Sequence, residues 1–424
     1  MNKLLNTALL LLVVCIVNAQ PVPNEFTPRG GLSATAQQLK RPGKDTFTVA
    51  FFGGSITEAK NGWRDGTVSW LQQQTLRPVR SINAAIGGTG SSLGVYRLRK
   101  DVLQHRPQLL FVEFAVNDAK DSRESILQSM EGIVRQTWQA LPQTDICFVY
   151  TLAAGMAPDY MGDNLPTSVK AMDELAKHYN IPSINLAPRV LNQVRSGKLF
   201  FTGKQPRSGD SLFFSRDGVH PFTETGYRLY NETVQAALPQ LLKTRKPKVN
   251  RLPLPYCSKQ MEKATLVVAE AKHFSGSMHA NTMGLYSIAN RFSSFFSTML
   301  HLTEVTQRIT FNFTGNRIGF YDIIGPTSGN LEVVVDGGAP RTINRFDRYC
   351  TFYRPHWFFV DGLSNGPHEV VVSLSPGKVD KEQIVGRPIK ELANAADYEK
   401  HDWRLGYMLV ENEGGLGAVI MNKQ

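Results

Sequence analysis

Between positions 46 and 242, short apolar runs alternate with segments of helical periodicity. Runs rich in β-branched and aromatic residues indicate buried strands, and apolar positions three and four apart indicate amphipathic helices. The predicted strands span 46–52, 79–83, 109–115, 146–152 and 182–186, and the predicted helices span 65–76, 93–105, 122–140, 167–179 and 222–242. Strands that alternate with helices form a parallel sheet with helices on both faces. The pattern therefore predicts a three-layer α/β/α domain.

The sequence pattern changes after a proline- and lysine-rich stretch at 243–256. Beyond it, β-like segments are separated by turn-forming residues such as Asp336-Gly337-Gly338. These segments span 308–313, 317–321, 330–335 and 368–374. The pattern predicts an antiparallel β-sandwich accessory domain. We expect the chain to divide into an N-terminal extension (20–44), the α/β domain (45–242), a linker (243–256) and the sandwich (257–424), after a leader at 1–19.

The leader resembles a secretory signal peptide. Lys3 is followed by an apolar run from Ala8 to Val17 and by small residues that end at Ala19. This run is too short for a membrane-spanning helix, and no other stretch approaches the ~20 apolar residues that such a helix needs. We expect cleavage after about Ala19, a secreted or periplasmic protein, and no transmembrane segment.

Charge and cysteine content restrict the other function classes. The net charge is +11, and the densest basic cluster, 243–251, contains prolines and lies beside no nucleic-acid-binding motif. It indicates a solvated linker rather than a nucleic-acid site. Cys257 and Cys350 can pair in an oxidising compartment, a question that the sequence leaves open. No group of residues has metal-ligand spacing, so we expect neither a metal nor a cofactor; the sequence does not indicate an oligomeric state.

Four separated segments of the α/β domain carry polar residues at predicted strand ends or before a helix. Ser55 follows the first strand and two glycines, Gly88 lies in the glycine-rich loop after the second, and Asn117 follows the third. Asp217 and His220 stand just before the last helix. Because the carboxyl ends of parallel strands meet at one edge of the sheet, these segments are expected to converge.

Together these residues have the chemistry of a serine hydrolase. Ser55 is the candidate nucleophile, His220 its base, and Asp217 the carboxylate that orients the imidazole. The backbone N–H groups of Ser55 and Gly88 and the side-chain amide of Asn117 are the candidate oxyanion donors. Each residue alone also has a purely structural explanation as a turn, cap or packing residue; their joint order favours catalysis.

The order and spacing of the four segments resemble the SGNH, or GDSL-like, hydrolase family over residues 45–242. Two positions depart from the family pattern: Gly54 stands where an aspartate is usual, and Ala115 stands in place of a glycine. The resemblance implies an SGNH-type fold, the catalytic roles given above and ester hydrolysis. The form Gly-Gly-Ser-Ile-Thr is similar to that of exported bacterial esterases that act on polysaccharides, and segment 318–336 is similar to jelly-roll modules found beside carbohydrate esterases.

The sequence therefore predicts an exported serine esterase that removes acetyl groups from a polysaccharide or oligosaccharide. One alternative is a lipid-directed esterase, which needs an exposed apolar groove near Ser55. Another is a glycan-binding protein without catalysis. No substrate-binding residue is identified: Glu58 and Trp63 lie close to the nucleophile, and each is either a substrate contact or a structural residue. Aromatic residues at 349–358 either stack on sugars or fill the sandwich core.

Overall fold

The computed structural model describes residues 24–162, 164–243, 252–257, 261–275, 288 and 291–411. The predicted signal peptide, 1–19, and most of the predicted linker, 244–251, lie outside the described residues. Within the described ranges, no helix is long and apolar enough to cross a membrane.

The first domain is built on a six-stranded sheet in the order β1-β6-β5-β4-β2-β3. Its strands are β1 (Phe26–Thr27), β2 (Phe47–Gly53), β3 (Val79–Asn83), β4 (Leu109–Glu113), β5 (Asp145–Tyr150) and β6 (Ser183–Asn185). All neighbours pair in parallel except β1, which runs antiparallel to β6 at the edge. Every residue of β2, β4 and β5 is buried, as expected for strands covered on both faces.

Helices cover this sheet. They are α1 (Ser33–Lys40), α2 (Ser55–Glu58), α3 (Trp63–Gln73), α4 (Ser91–Asp101), α5 (Arg123–Ala140), α6 (Ala157–Met161), α7 (Thr167–His178), α8 (Ala187–Arg195) and α9 (Arg228–Leu241). Ser122 caps α5 by accepting the Ser125 N–H at 3.2 Å. The predicted helix 222–242 differs from the structure, because its first turn, Thr223–Tyr227, is π-helical and α9 begins only afterwards.

A small three-stranded sheet precedes α9 and was not predicted. It contains β7 (Leu199–Thr202), β8 (Arg207–Ser208) and β9 (Ser211–Ser215) in the order β7-β9-β8. In the parallel β7–β9 pair, Phe200 lies opposite Phe213. The next pair along, Phe201 and Phe214, packs towards the domain core with ring centroids 6.1 Å apart. Because side chains alternate along a strand, Phe200 and Phe213 point away from the core.

The accessory domain consists of two antiparallel sheets around a shared apolar core. Its strands are β10 (Ala264–Val268), β11 (Phe274–Ser275), β12 (Leu300–Leu302), β13 (Arg308–Gly315), β14 (Ile318–Ile324), β15 (Asn330–Val335), β16 (Arg341–Asn344), β17 (Arg354–Val360), β18 (Gly366–Leu374) and β19 (Trp403–Glu411). One sheet has the order β10-β19-β14-β17, with β12 also paired to β19, and the other has the order β11-β13-β18-β15-β16. A short helix, α10 (Lys381–Val385), lies in the connection between β18 and β19. The predicted fold class, an α/β domain followed by an antiparallel sandwich, is confirmed.

Two questions that the sequence left open concern the accessory domain. Cys257 and Cys350 are both free thiols, so they do not form a disulfide in this structure. Among the aromatic residues of 349–358, Phe358 lies in the sandwich core, whereas Tyr349 and Phe352 are half exposed.

The apolar core of the α/β domain continues into the accessory domain. Met261, Tyr321 and Tyr407 belong to the same buried cluster as the strands of the parallel sheet. At the surface of this contact, the Tyr96 hydroxyl on α4 donates to Glu411 at 2.7 Å. The two domains are thus packed against each other through α4 and the sheet that contains β14 and β19.

Candidate active site

Ser55 occupies the turn between β2 and α2. The strand ends at Gly53, and Ser55 is the first residue of the short helix, so its side chain stands at the carboxyl edge of the sheet. Its Oγ lies 2.8 Å from Nε2 of His220. This distance allows direct proton transfer between the hydroxyl and the imidazole.

The loop before α9 places His220 through a set of hydrogen bonds to Asp217. One carboxylate oxygen of Asp217 accepts the backbone N–H groups of Val219 and His220, both at 2.9 Å. The other oxygen lies 2.7 Å from Nδ1 of the imidazole. Gly218 has a φ of 81°, which favours glycine, and its N–H donates to the Ser215 hydroxyl at 2.6 Å.

These contacts also set the charge state of Asp217. Burial alone would raise the pKa of this carboxyl, but hydrogen bonds from the His220 ring and from two backbone N–H groups outweigh it and lower the pKa to about 2. An ionised Asp217 accepts a hydrogen bond from the Nδ1–H group of His220, which leaves Nε2 as the acceptor for the Ser55 hydroxyl. Both side chains are 52% exposed, so the site opens directly to solvent.

The glycine-rich loop lies against the nucleophile. A Cβ built on Gly87 would stand 3.5 Å from the Cβ of Ser55. Gly88 follows with a φ of 73° and open space beside it. In the part of the chain that the structure describes, the N–H groups of Ser55 and Gly88 have no hydrogen-bond partner. Two unpaired N–H groups beside a nucleophile are the arrangement that an oxyanion requires.

The Asn117 side chain lies directly over Gly54, the residue before the nucleophile. A Cβ on Gly54 would come within 1.8 Å of the Asn117 Oδ1. The backbone angles of Gly54, φ −99° and ψ −157°, are open to any residue. In this chain the amide of Asn117 thus fills the volume that a side chain at position 54 would need.

Asp118, the residue after Asn117, has a structural role. It is buried and accepts the backbone N–H of Ser91 at 2.9 Å, at the first turn of α4. Burial raises its pKa to about 7. Asp118 thus ties the third segment to the helix that follows the glycine-rich loop.

Glu58 connects the nucleophile helix to the oxyanion loop. Its carboxylate accepts the Gly87 N–H at 2.9 Å, and its backbone carbonyl accepts the Asn83 side-chain amide at 3.2 Å. Burial raises the pKa of Glu58, against the opposing effects of the Gly87 N–H and Arg97. Because Gly87 is bonded to Glu58, the N–H of Gly88 is oriented while remaining unpaired.

Glu58→Ala is expected to lower kcat on a small acetyl ester about 10- to 100-fold with little change in KM, because a misplaced loop weakens transition-state stabilisation more than substrate binding. Glu58→Gln retains an acceptor for Gly87 and should recover most of the rate. The Glu58→Gln variant should also lose one ionisation from the acid side of the kcat–pH profile. In the parent, this ionisation is the protonation of Glu58 as the pH falls through its raised pKa. Equal losses in both variants would contradict this role.

Beneath the nucleophile turn lies a buried network that sequence reasoning missed. Both oxygens of Glu113 accept threonine hydroxyls, from Thr57 at 2.7 Å and Thr151 at 2.6 Å, and the Gly54 N–H also donates to this carboxylate. The Trp63 indole donates to Thr57 at 3.2 Å and is fully buried, so Trp63 is a structural residue. The only available sequence signal was an acidic residue at the end of an apolar strand.

The structure thus brings Ser55, His220 and Asp217 into one chain of hydrogen bonds and places Gly88 and Asn117 beside it. This arrangement can activate a hydroxyl for attack on a carbonyl and stabilise the oxyanion that results.

Comparisons with known proteins agree with this chemistry. Residues 51–229, which contain all of these groups, match the GDSL-like Lipase/Acylhydrolase family. No curated protein matches the chain. Among solved structures, one similar fold is that of a two-domain esterase (CEX) active on acetylated mannans, co-crystallised with mannopentaose. The two structures have a TM-score of 0.67 and 19% sequence identity, and the match covers 91% of this chain and 94% of that one. A second structure of a two-domain esterase (CEX) active on acetylated mannans gives a TM-score of 0.66 and 19% identity over 87% and 92%. The likeness extends over both domains and shows a shared fold.

Proposed function

From the match of residues 51–229 to the GDSL-like Lipase/Acylhydrolase family, we propose that the protein is an ester hydrolase that removes acetyl groups from a polysaccharide or oligosaccharide. The observation that carries the proposal is the Asp217–His220–Ser55 chain of hydrogen bonds at the carboxyl edge of the sheet. The predicted signal peptide supports a location outside the cytoplasm, where polymeric glycans are encountered.

In the proposed mechanism, Ser55 Oγ attacks the ester carbonyl while Nε2 of His220 takes its proton. The negative charge that forms on the carbonyl oxygen is stabilised by the N–H groups of Ser55 and Gly88 and by the amide of Asn117. The bond between the carbonyl carbon and the sugar oxygen then breaks, and His220 gives its proton to that oxygen, so the sugar leaves with a free hydroxyl and an acyl-enzyme remains on Ser55. A water molecule, deprotonated by His220, releases acetate and restores the serine.

Two observations favour an acetylated glycan as the substrate class. Asp217 and His220 are half exposed. An open site of this kind can admit an ester on a bulky polymer, which a deep pocket would exclude. The similar two-domain structures are of an esterase active on acetylated mannans, one of them co-crystallised with mannopentaose.

The lipid-directed alternative lacks the feature that would favour it. The large apolar side chains exposed within the described residues are Leu76, Phe200, Leu254, Tyr256, Val305, Tyr349 and Phe352. Of these, only Phe200 belongs to an element that contacts the loop of Asp217 and His220. A single exposed ring does not provide the continuous apolar groove that a fatty acyl chain would occupy.

Acetate release from a panel of acetylated mannans, xylans and other glycans tests the proposal, with Ser55→Ala measured in parallel. We expect release by the parent protein and a fall of at least about 10⁴-fold in the variant, because the covalent step is lost. Hydrolysis of 4-nitrophenyl acetate without release from any glycan would retain the serine mechanism and reject the substrate class. Activity that survives in Ser55→Ala would reject the mechanism.

A further inference from the structure

An aromatic surface borders the loop that positions the catalytic histidine. Phe200 on β7 is 47% exposed, and its ring centroid lies 5.9 Å from that of Phe213 on the neighbouring strand β9. Both rings point away from the core, since the adjacent pair, Phe201 and Phe214, packs inward. We call Phe200 and Phe213 the aromatic ledge.

Short contacts connect the strands of the aromatic ledge to the loop that carries Asp217 and His220. A Cβ built on Gly218 would lie 3.5 Å from the methyl group of Thr202, which stands on the same face of β7 as Phe200. Ser215, at the end of β9, accepts the Gly218 N–H at 2.6 Å and donates to the Phe201 carbonyl at 3.2 Å. Given the rise of a β-strand, Phe200 stands about 7 Å along β7 from Thr202.

The surroundings of the ledge are polar. Thr202, on the same face of β7 as Phe200, is exposed, and so is Lys204, two residues further along the chain. An exposed ring face with a polar rim suits a ligand with one apolar face and many hydroxyl groups. Pyranose rings meet this description, because their axial C–H groups pack on the negative face of an aromatic ring while their hydroxyls remain in water or bond to the rim.

We propose that the aromatic ledge is a sugar-binding subsite, on which a pyranose unit of the glycan stacks while a neighbouring acetylated unit is presented to Ser55. This inference rests on the proposed function, since it assigns a binding surface for the same substrate. The ledge contributes to substrate positioning and takes no part in bond making.

The test compares two substrates across one set of variants. Phe200→Ala should lower kcat/KM for an acetylated oligosaccharide about ten-fold more than kcat/KM for 4-nitrophenyl acetate, chiefly through KM, as expected for loss of one stacking contact. Phe200→Trp should restore the oligosaccharide value. Leu76→Ala is the control, because Leu76 is a fully exposed apolar residue in the turn before β3, at the amino end of that strand and away from the carboxyl edge that carries Ser55.

Direct binding separates stacking from catalysis. With Ser55→Ala as background, adding Phe200→Ala should raise the Kd for a non-acetylated oligosaccharide about ten-fold by calorimetry. If the parent releases acetate from a glycan and Phe200→Ala changes both substrates equally, the subsite is overturned and the proposed function stands. If the parent acts on no glycan, both are overturned. A selective loss on long-chain nitrophenyl esters would assign the ledge to an acyl chain and also overturn the inference.

Discussion

Asp217→Asn is expected to lower kcat for ester hydrolysis by about 10⁴-fold, one of the largest effects of a single substitution in this protein. An asparagine keeps an oxygen for the backbone N–H groups of Val219 and His220, so the loop should retain its shape. Its amide, however, presents a donor to Nδ1 of the imidazole. This favours the tautomer with a proton on Nε2, which cannot accept the hydroxyl proton of Ser55.

Steady-state kinetics on 4-nitrophenyl acetate measure this effect, with circular dichroism to check the fold. Asp210→Asn provides the matched control, because Asp210 is an exposed aspartate in the turn between β8 and β9. With a pKa of about 2, Asp217 is ionised over the whole range in which such an enzyme is assayed, so the loss should be nearly independent of pH above about 4. A loss of less than ten-fold would show that His220 is oriented by other groups.

Gly54→Ala is expected to lower kcat by about 10²- to 10³-fold, the loss typical for removal of one oxyanion donor. The added methyl group would stand within 1.8 Å of the Asn117 Oδ1, so the amide must move away from the nucleophile. The triad itself is left chemically unchanged. The same assay on 4-nitrophenyl acetate gives the rate, and thermal unfolding shows whether the fold is retained.

A double-mutant cycle distinguishes this cause from a general disturbance of the turn. Asn117→Ala alone should show a similar loss, and the Gly54→Ala/Asn117→Ala double variant should be no slower than Asn117→Ala. Losses that multiply would mean that the methyl group at position 54 acts independently of Asn117, for example by displacing Ser55.

The main architecture was predictable because its signals are local. Buried strands such as 46–52 and 109–115 are continuous apolar or β-branched runs, and the structure begins and ends them within two residues of the predicted bounds. The small sheet of β7, β8 and β9 was not predicted, because its short strands are joined by turns of a few residues and lack the alternation with helices that identified the parallel sheet. The π-helical turn before α9 likewise has no pattern of its own.

The residues of the candidate site also differ in how far local sequence signals predict them. Ser55, Gly88, Asn117, Asp217 and His220 were identified from strand ends and spacing, and the structure places them together; their catalytic roles stay predictions. Glu113 and Glu58 were harder to interpret, because their partners are threonine hydroxyls and a backbone N–H that only the folded chain brings near. The same holds for Gly54, because the Asn117 amide that excludes a side chain there comes from the turn after β4 and is distant in sequence.

The segments that join the two domains are attached to α5. The Met261 carbonyl accepts the Gln136 side chain at 3.0 Å, Arg135 pairs with Glu262 at 2.7 Å, and the Cys257 N–H donates to the buried Glu131. Together with the shared core, these bonds make the accessory domain part of the same cooperative unit as the parallel sheet. The protein is therefore expected to unfold in one calorimetric transition, unlike a pair of modules on a flexible tether.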